Sequence, residues 1–185
     1  MITKHFTRQG LSGSNGFRVY AENNQLQQKI ITKNYSVQII RLTKEFKFEM
    51  AHALKGYDGL CRNIHGHSYE LLVTVTGIPV SDTLSTKLGM VMDFGDLKKI
   101  VRNCIVDEFD HALVLNRESA SDFAPDAEMF GRTILVDYQP TSENMLIDFV
   151  ERLRTQLPAN VKLHHLLLRE TVTSYAEWFA EDNEK

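Results

Sequence analysis

The chain lacks any apolar run near the length needed to cross a bilayer. Its first residues, Met1-Ile2-Thr3-Lys4-His5, lack the apolar core of a secretory signal. No Lys/Arg-rich stretch stands out, and 21 basic residues against 24 acidic ones leave a formal charge of −3. That balance excludes a general phosphate-tracking face for nucleic acid. Cysteine is scarce: Cys61 and Cys104 are the only two. Cys104 falls among Leu97, Ile100, Val101, Ile105 and Phe109 at helical spacing, which reads as a buried core thiol. A disulfide with Cys61 is then not expected, and the composition fits a reducing cytoplasm. There is no internal repeat and no low-complexity tract.

What is present is enough for one domain. A length of 185 residues with 43% apolar and 24% charged residues supports a single core, and is short for two. Residues 1–36 are polar, rich in Asn, Gln, Ser and Gly, and lack a sustained period, so they read as an appended arm. From Val37 the pattern becomes regular. Alternation predicts strands over 37–52 and 69–76, the second directly after a run of histidines. An amphipathic helix is expected over 94–108, with Asp93 or Asp96 at its start. A second helix opens at Pro140-Thr141-Ser142-Glu143 and stops at Pro158. A hairpin of 161–171 and 174–179 closes the chain. Residues 117–139 form a long connection in which Leu135–Tyr138 suggests a short strand. The expected class is α+β: an antiparallel four-stranded sheet with two helices on one face, in the order ββααββ, over residues 37–185.

The densest chemistry lies at Cys61-Arg62-Asn63-Ile64-His65-Gly66-His67, with His52 upstream. His65 and His67 are two apart, so in a strand both leave the same face. His52 ends a strand-like run and can reach them from a neighbouring strand. Three neutral imidazoles would leave a bound metal one open position, as in catalytic rather than structural zinc sites. A His-x-His pair also arises by chance, and histidine has many innocent roles. If Cys61 were a fourth ligand, the site would be closed and structural.

These residues belong to an ordered series: Phe48-x-x-Ala51-His52, Cys61-x-x-x-His65-Gly66-His67, Gly89-Met90-Val91-Met92-Asp93-Phe94, Phe109-Asp110-His111 with Leu115-Asn116, Pro140-Thr141-Ser142-Glu143-Asn144, and Arg169-Glu170-Thr171. The series resembles the family of 6-pyruvoyltetrahydropterin and 6-carboxytetrahydropterin synthases over about residues 38–180. Three residues separate Cys61 from His65, the spacing of the carboxy-forming branch; the pyruvoyl-forming branch has five. The resemblance implies zinc held by His52, His65 and His67. It implies Cys61 as general base, with Asp110 and His111 as its relay. It implies Glu170 as anchor for the guanidine-like edge of a pterin, with Thr141, Ser142 and Glu143 as further anchors. The implied substrate is 7,8-dihydroneopterin triphosphate. The implied product is 6-carboxy-5,6,7,8-tetrahydropterin, on the route to queuosine and other 7-deazaguanines. The implied architecture is the tunnelling fold, a homohexamer made as a dimer of trimers, with active sites between subunits. The residues alone leave other roles open: an exposed strand glutamate at 170, a charge pair at the helix end for Asp110 and His111, and helix capping by Thr141 and Ser142. A pyruvoyl-forming enzyme and a zinc-dependent pterin-binding module without turnover are the alternative readings. Lys44, Lys47 and Arg62 are candidates for triphosphate contact by position only, and each reads more readily as solvated surface charge.

Overall fold

A computed structural model describes residues 37–122 and 127–183; the arm of residues 1–36 lies outside the described residues. Strand β1 (Ile40–Ala53) turns its alternate residues Phe46, Phe48, Met50 and His52 into the core. Glu45, Lys47 and Glu49 between them face the other way, as a period of two requires. Strand β2 (His65–Gly77) runs antiparallel to it, burying Tyr69, Leu71, Val73 and Val75. Strands β5 (Val161–Thr171) and β6 (Ser174–Phe179) extend the sheet antiparallel from β2.

The expected four-stranded antiparallel unit is therefore present, but the sheet is larger and mixed. Its order is β4-β3-β1-β2-β5-β6, with β3 (Ala112–Asn116) and β4 (Thr133–Val136) added in parallel beside β1. Of the added strands, β4 overlaps the short strand expected at Leu135–Tyr138, whereas β3 was hidden for a physical reason. Parallel strands are covered on both faces and so carry continuous apolar runs rather than alternation. Ala112-Leu113-Val114-Leu115 is such a run, too short to be told from a helix end by periodicity.

Helix α1 (Phe94–Val101) starts at Asp93, whose carboxylate accepts the Gly95 N–H at 2.7 Å. The expected straight helix over 94–108 is interrupted. Arg102–Val106 form a π-turn, and the chain resumes α-geometry only for Asp107–Phe109. Cys104 lies in the π-turn and is half-buried, not a fully buried core thiol. Helix α2 (Ser142–Arg154) is capped by Thr141, whose hydroxyl accepts the Asn144 N–H at 3.3 Å. Phe149 of α2 meets Phe48 at 6.5 Å and Phe109 at 5.0 Å between ring centroids. Both helices thus join one core on one face of the sheet. Among the described residues no helix is long and apolar enough to cross a membrane.

Candidate metal centre and cleft

Register builds the centre. His52 pairs directly with His65 across β1 and β2, and Met50 pairs with His67. Opposed residues of an antiparallel pair share a face, so all three imidazoles project into one space beside Tyr69. A slip of one residue would send His65 and His67 to the opposite face. One potential ligand atom from each histidine lies within 4.8 Å of the others.

Main-chain carbonyls fix the rings. His52 Nδ1 donates to the Pro140 carbonyl at 2.7 Å, and His65 Nδ1 to the Asn63 carbonyl at 2.8 Å. A carbonyl only accepts, so each Nδ1 carries the proton and each Nε2 presents a lone pair. Those two Nε2 atoms stand 3.1 Å apart. Neutral imidazoles in that arrangement repel unless a cation lies between them. Ligands about 2.0–2.1 Å from a tetrahedral zinc stand about 3.3 Å from each other, so the spacing suits the ion. His67 Nε2 is buried with no hydrogen-bond partner. Burial also pushes the His67 pKa down, which keeps the ring neutral. The donor set fits zinc with an open position.

Beside the histidines lies a cleft of about 350 Å³ lined by His52, Cys61, Thr141, Ser142, Glu143 and Glu170, together with Tyr57 and Tyr175. Glu170 stands at the boundary: its Oε1 is 3.3 Å from His52 Nε2 and 3.5 Å from His67 Nε2. The neighbouring His52 imidazole holds the Glu170 carboxyl below its ordinary range, against the opposing effect of burial. The Tyr69 hydroxyl donates to the same oxygen at 3.2 Å. Burial, reinforced by Glu170, pushes the Tyr69 pKa far up, so this phenol stays a donor. The Ser142 hydroxyl is buried without a partner. His67 Nε2 and Ser142 Oγ are the two such side-chain atoms among the described residues, and each belongs to the expected site. Buried polar atoms left unpaired by their own chain are expected where a ligand completes them.

Cys61 is free and half-exposed, and it is not part of the three-histidine group. It sits in a short 3-10 turn, Leu60–Arg62. Asp110 and His111 are elsewhere. His111 lines a second cleft, with Glu49, Ala51, Gly66, His67 and Ser68, and not the one holding Cys61. Asp110 Oδ1 accepts the Glu49 N–H at 2.9 Å and lies 3.0 Å from His111 Nδ1. The Glu49 N–H is the main reason that the Asp110 carboxyl is held below its usual range. His111 adopts a φ of 61°, rare for a residue with a side chain, and its imidazole is 74% exposed.

Two groups escaped the sequence. Tyr69 lies two residues past His67, so alternation alone could have placed it on the metal face. The Pro140 carbonyl carries no sequence signal, because every residue has one. Of the basic residues considered for triphosphate, Lys47 is already paired with Glu70 at 2.9 Å and Glu45 at 3.2 Å, and Lys44 lies over the Phe94 ring.

Comparison with known proteins shows the family. The sequence profile of the family described as 6-pyruvoyl tetrahydropterin synthase matches residues 41–181. A Haemophilus influenzae protein named 6-carboxy-5,6,7,8-tetrahydropterin synthase is 35% identical over 143 residues, covering 76% of this chain and 99% of the relative. A Pyrococcus furiosus dihydroneopterin monophosphate aldolase is 34% identical over 130 residues, covering 70% of this chain and 89% of the relative. The structure of Caenorhabditis elegans 6-pyruvoyl tetrahydropterin synthase superposes with a TM-score of 0.55 at 25% identity, covering 78% of this chain and 97% of that one. The chain belongs to the 6-pyruvoyl tetrahydropterin synthase family.

Proposed function

We propose that this protein is a zinc-dependent 6-carboxytetrahydropterin synthase. It converts 7,8-dihydroneopterin triphosphate and water to 6-carboxy-5,6,7,8-tetrahydropterin, acetaldehyde and triphosphate, in queuosine and 7-deazaguanine synthesis in the cytoplasm. The observation that carries this reading is the three-histidine group opening onto a cleft that also holds Cys61, Glu170 and the unpaired Ser142 hydroxyl. Residues 37–185 form the catalytic domain, and 1–36 are an arm outside the family match.

His52, His65 and His67 would hold the zinc. When bound, the ion supplies positive charge that stabilises developing oxyanions on the substrate side chain. Glu170 accepts the adjacent 2-amino and N3–H donors of the pterin, a pattern that a single carboxylate recognises in bidentate fashion. The Ser142 hydroxyl gains the partner its own chain does not provide, with Thr141 and Glu143 beside it at the start of α2. Cys61, as thiolate, removes a proton from the side-chain carbon next to the ring. Asp110 orients His111 through the 3.0 Å contact, and the pair exchanges protons with Cys61. His111 and Cys61 line different clefts of one chain, which supports assigning the pair at a given Cys61 to a second copy. That makes the active site a property of the assembly, a homohexamer built as a dimer of trimers.

The test is incubation of zinc-loaded protein with dihydroneopterin triphosphate and mass analysis of the pterin. The expected products are the carboxypterin and acetaldehyde. A pyruvoyl product overturns the carboxy assignment, and tight pterin binding without turnover overturns the enzyme assignment.

A further inference from the structure

The loop between β1 and β2 carries Cys61, in a short 3-10 turn braced by Asn63 Nδ2 donating to the Leu60 carbonyl at 3.1 Å. Leu54 N–H donates to the Cys61 carbonyl at 2.9 Å and closes the loop on itself. The residue next to that closure, Lys55, is held from outside. Its N–H donates to Gln139 Oε1 at 3.2 Å, and its carbonyl accepts from Gln139 Nε2 at 2.8 Å. One primary amide thus engages both main-chain groups of one residue, the pairing a neighbouring strand would otherwise make.

Gln139 is itself fixed at the centre of the expected site. Its carbonyl accepts the Thr141 N–H at 2.7 Å and Asn144 Nδ2 at 3.0 Å. The next residue, Pro140, gives its carbonyl to His52 Nδ1. The Lys55 side chain adds a second tie, from Nζ to the Glu118 carbonyl and to Asp122 Oδ2 at 3.2 Å. The stretch following β3 therefore straps the Cys61 loop to the start of α2.

We infer that Gln139 is a positioning residue: its side-chain amide sets the Cys61 loop against the metal ligand His52 and the Thr141–Glu143 anchors. The inference rests on the reading of Cys61 as general base. It assigns a role to the end of the long connection that neither composition nor spacing shows. It also predicts a chemical requirement: position 139 needs both a donor and an acceptor at the reach of a glutamine. Glutamate keeps the acceptor but turns an oxygen toward the Lys55 carbonyl. Asparagine keeps both groups but is one methylene short.

The test compares Gln139→Glu, Gln139→Asn and Gln139→Leu with the unaltered protein, all zinc-loaded. Three readouts are used: steady-state kinetics, the rate of iodoacetamide alkylation at Cys61, and amide exchange at Lys55. The expected result is a fall in kcat of about tenfold or more in each variant, with KM within about threefold, because the pterin anchors stay on α2 and β5. Lys55 amide exchange and Cys61 alkylation should both accelerate at least about fivefold as the loop is released. Gln139→Glu is nearly isosteric, so it decides the matter if Gln139→Leu does not fold. Wild-type kcat, alkylation and exchange in a folded Gln139→Glu protein would overturn the inference. Exchange and alkylation do not depend on the substrate, so an error in the proposed reaction would leave them intact and show only as absent turnover in the unaltered protein.

Discussion

His52 has both ring nitrogens committed, Nδ1 to Pro140 and Nε2 toward the other histidines, so its loss cannot be made good by a neighbour. His52→Ala is expected to reduce zinc from one per chain to well below half, measured by elemental analysis after dialysis. It should also abolish the thermal shift that zinc gives the unaltered protein. That shift reflects binding to the folded state, about 4 kcal/mol when free metal is a thousandfold above Kd. Cys61 makes the opposite prediction. Its thiol stands outside the three-histidine group, so Cys61→Ala should retain a full complement of zinc while kcat falls by about a hundredfold or more. Loss of zinc in Cys61→Ala would instead mark a closed four-ligand site and a structural role for the metal.

At the scale of elements, two helix boundaries carry the site. Thr141 caps α2, and its removal leaves an N-terminal N–H without its acceptor. Thr141→Ala should cost about 1 kcal/mol in chemical denaturation, and Thr141→Ser should recover most of it. The turn from α1 into β3 depends instead on charge. Asp110 has a depressed folded-state pKa, so its contribution is fully present above the pKa of an unfolded aspartate, about 4, and is lost as pH falls through the lower folded value. The gap in urea midpoint between the unaltered protein and Asp110→Ala should hold from pH 5 to 8 and close toward pH 2. A gap that persists at pH 2 would show that the carboxylate charge plays no part. Much of this was legible beforehand. The four antiparallel strands, both helix starts and the shared face of three histidines follow from periods of two and from capping chemistry. Strand β4 was expected about two residues later, at Leu135–Tyr138, but the parallel strand β3 was not legible, because a short run buried on both faces shows no alternation. Nor was the π-turn, since Ile100, Val101, Cys104 and Ile105 satisfy a continuous helical period equally well. Gln139 was invisible for a different reason: its partners are the main-chain groups of Lys55, 84 residues away, and main-chain groups leave no trace in residue identity.

At the scale of the molecule, the described residues present a polar sheet face and two outer strands. The sheet face opposite the helices carries Glu45, Lys47, Glu70 and Arg169, linked across strands by ion pairs of 2.9 to 3.3 Å. A polar, internally paired face suits a water-lined interior better than a dry contact, as a sheet closed into a barrel by several copies would provide. Among the described residues the outer strands β4 and β6 have one neighbour each, so their outer edges are where such joining would occur. The strongest test of assembly uses the separation of Cys61 from His111, the neighbour of Asp110, between two clefts. Cys61→Ala and Asp110→Ala, each alone, should be nearly inactive. Unfolded together in equal amounts and refolded with zinc, they should regain activity if every site draws its thiol from one copy and its carboxylate from another. With random association, a site works only when the Asp110→Ala chain supplies the thiol and the Cys61→Ala chain supplies the carboxylate, so about one quarter of unaltered activity is expected. A site confined to one chain admits no such rescue, because every chain in the mixture lacks one of its two groups. Activity that stays at the level of the single variants, in a mixture shown by native mass analysis to contain both chains in one oligomer, would place the whole site within a subunit.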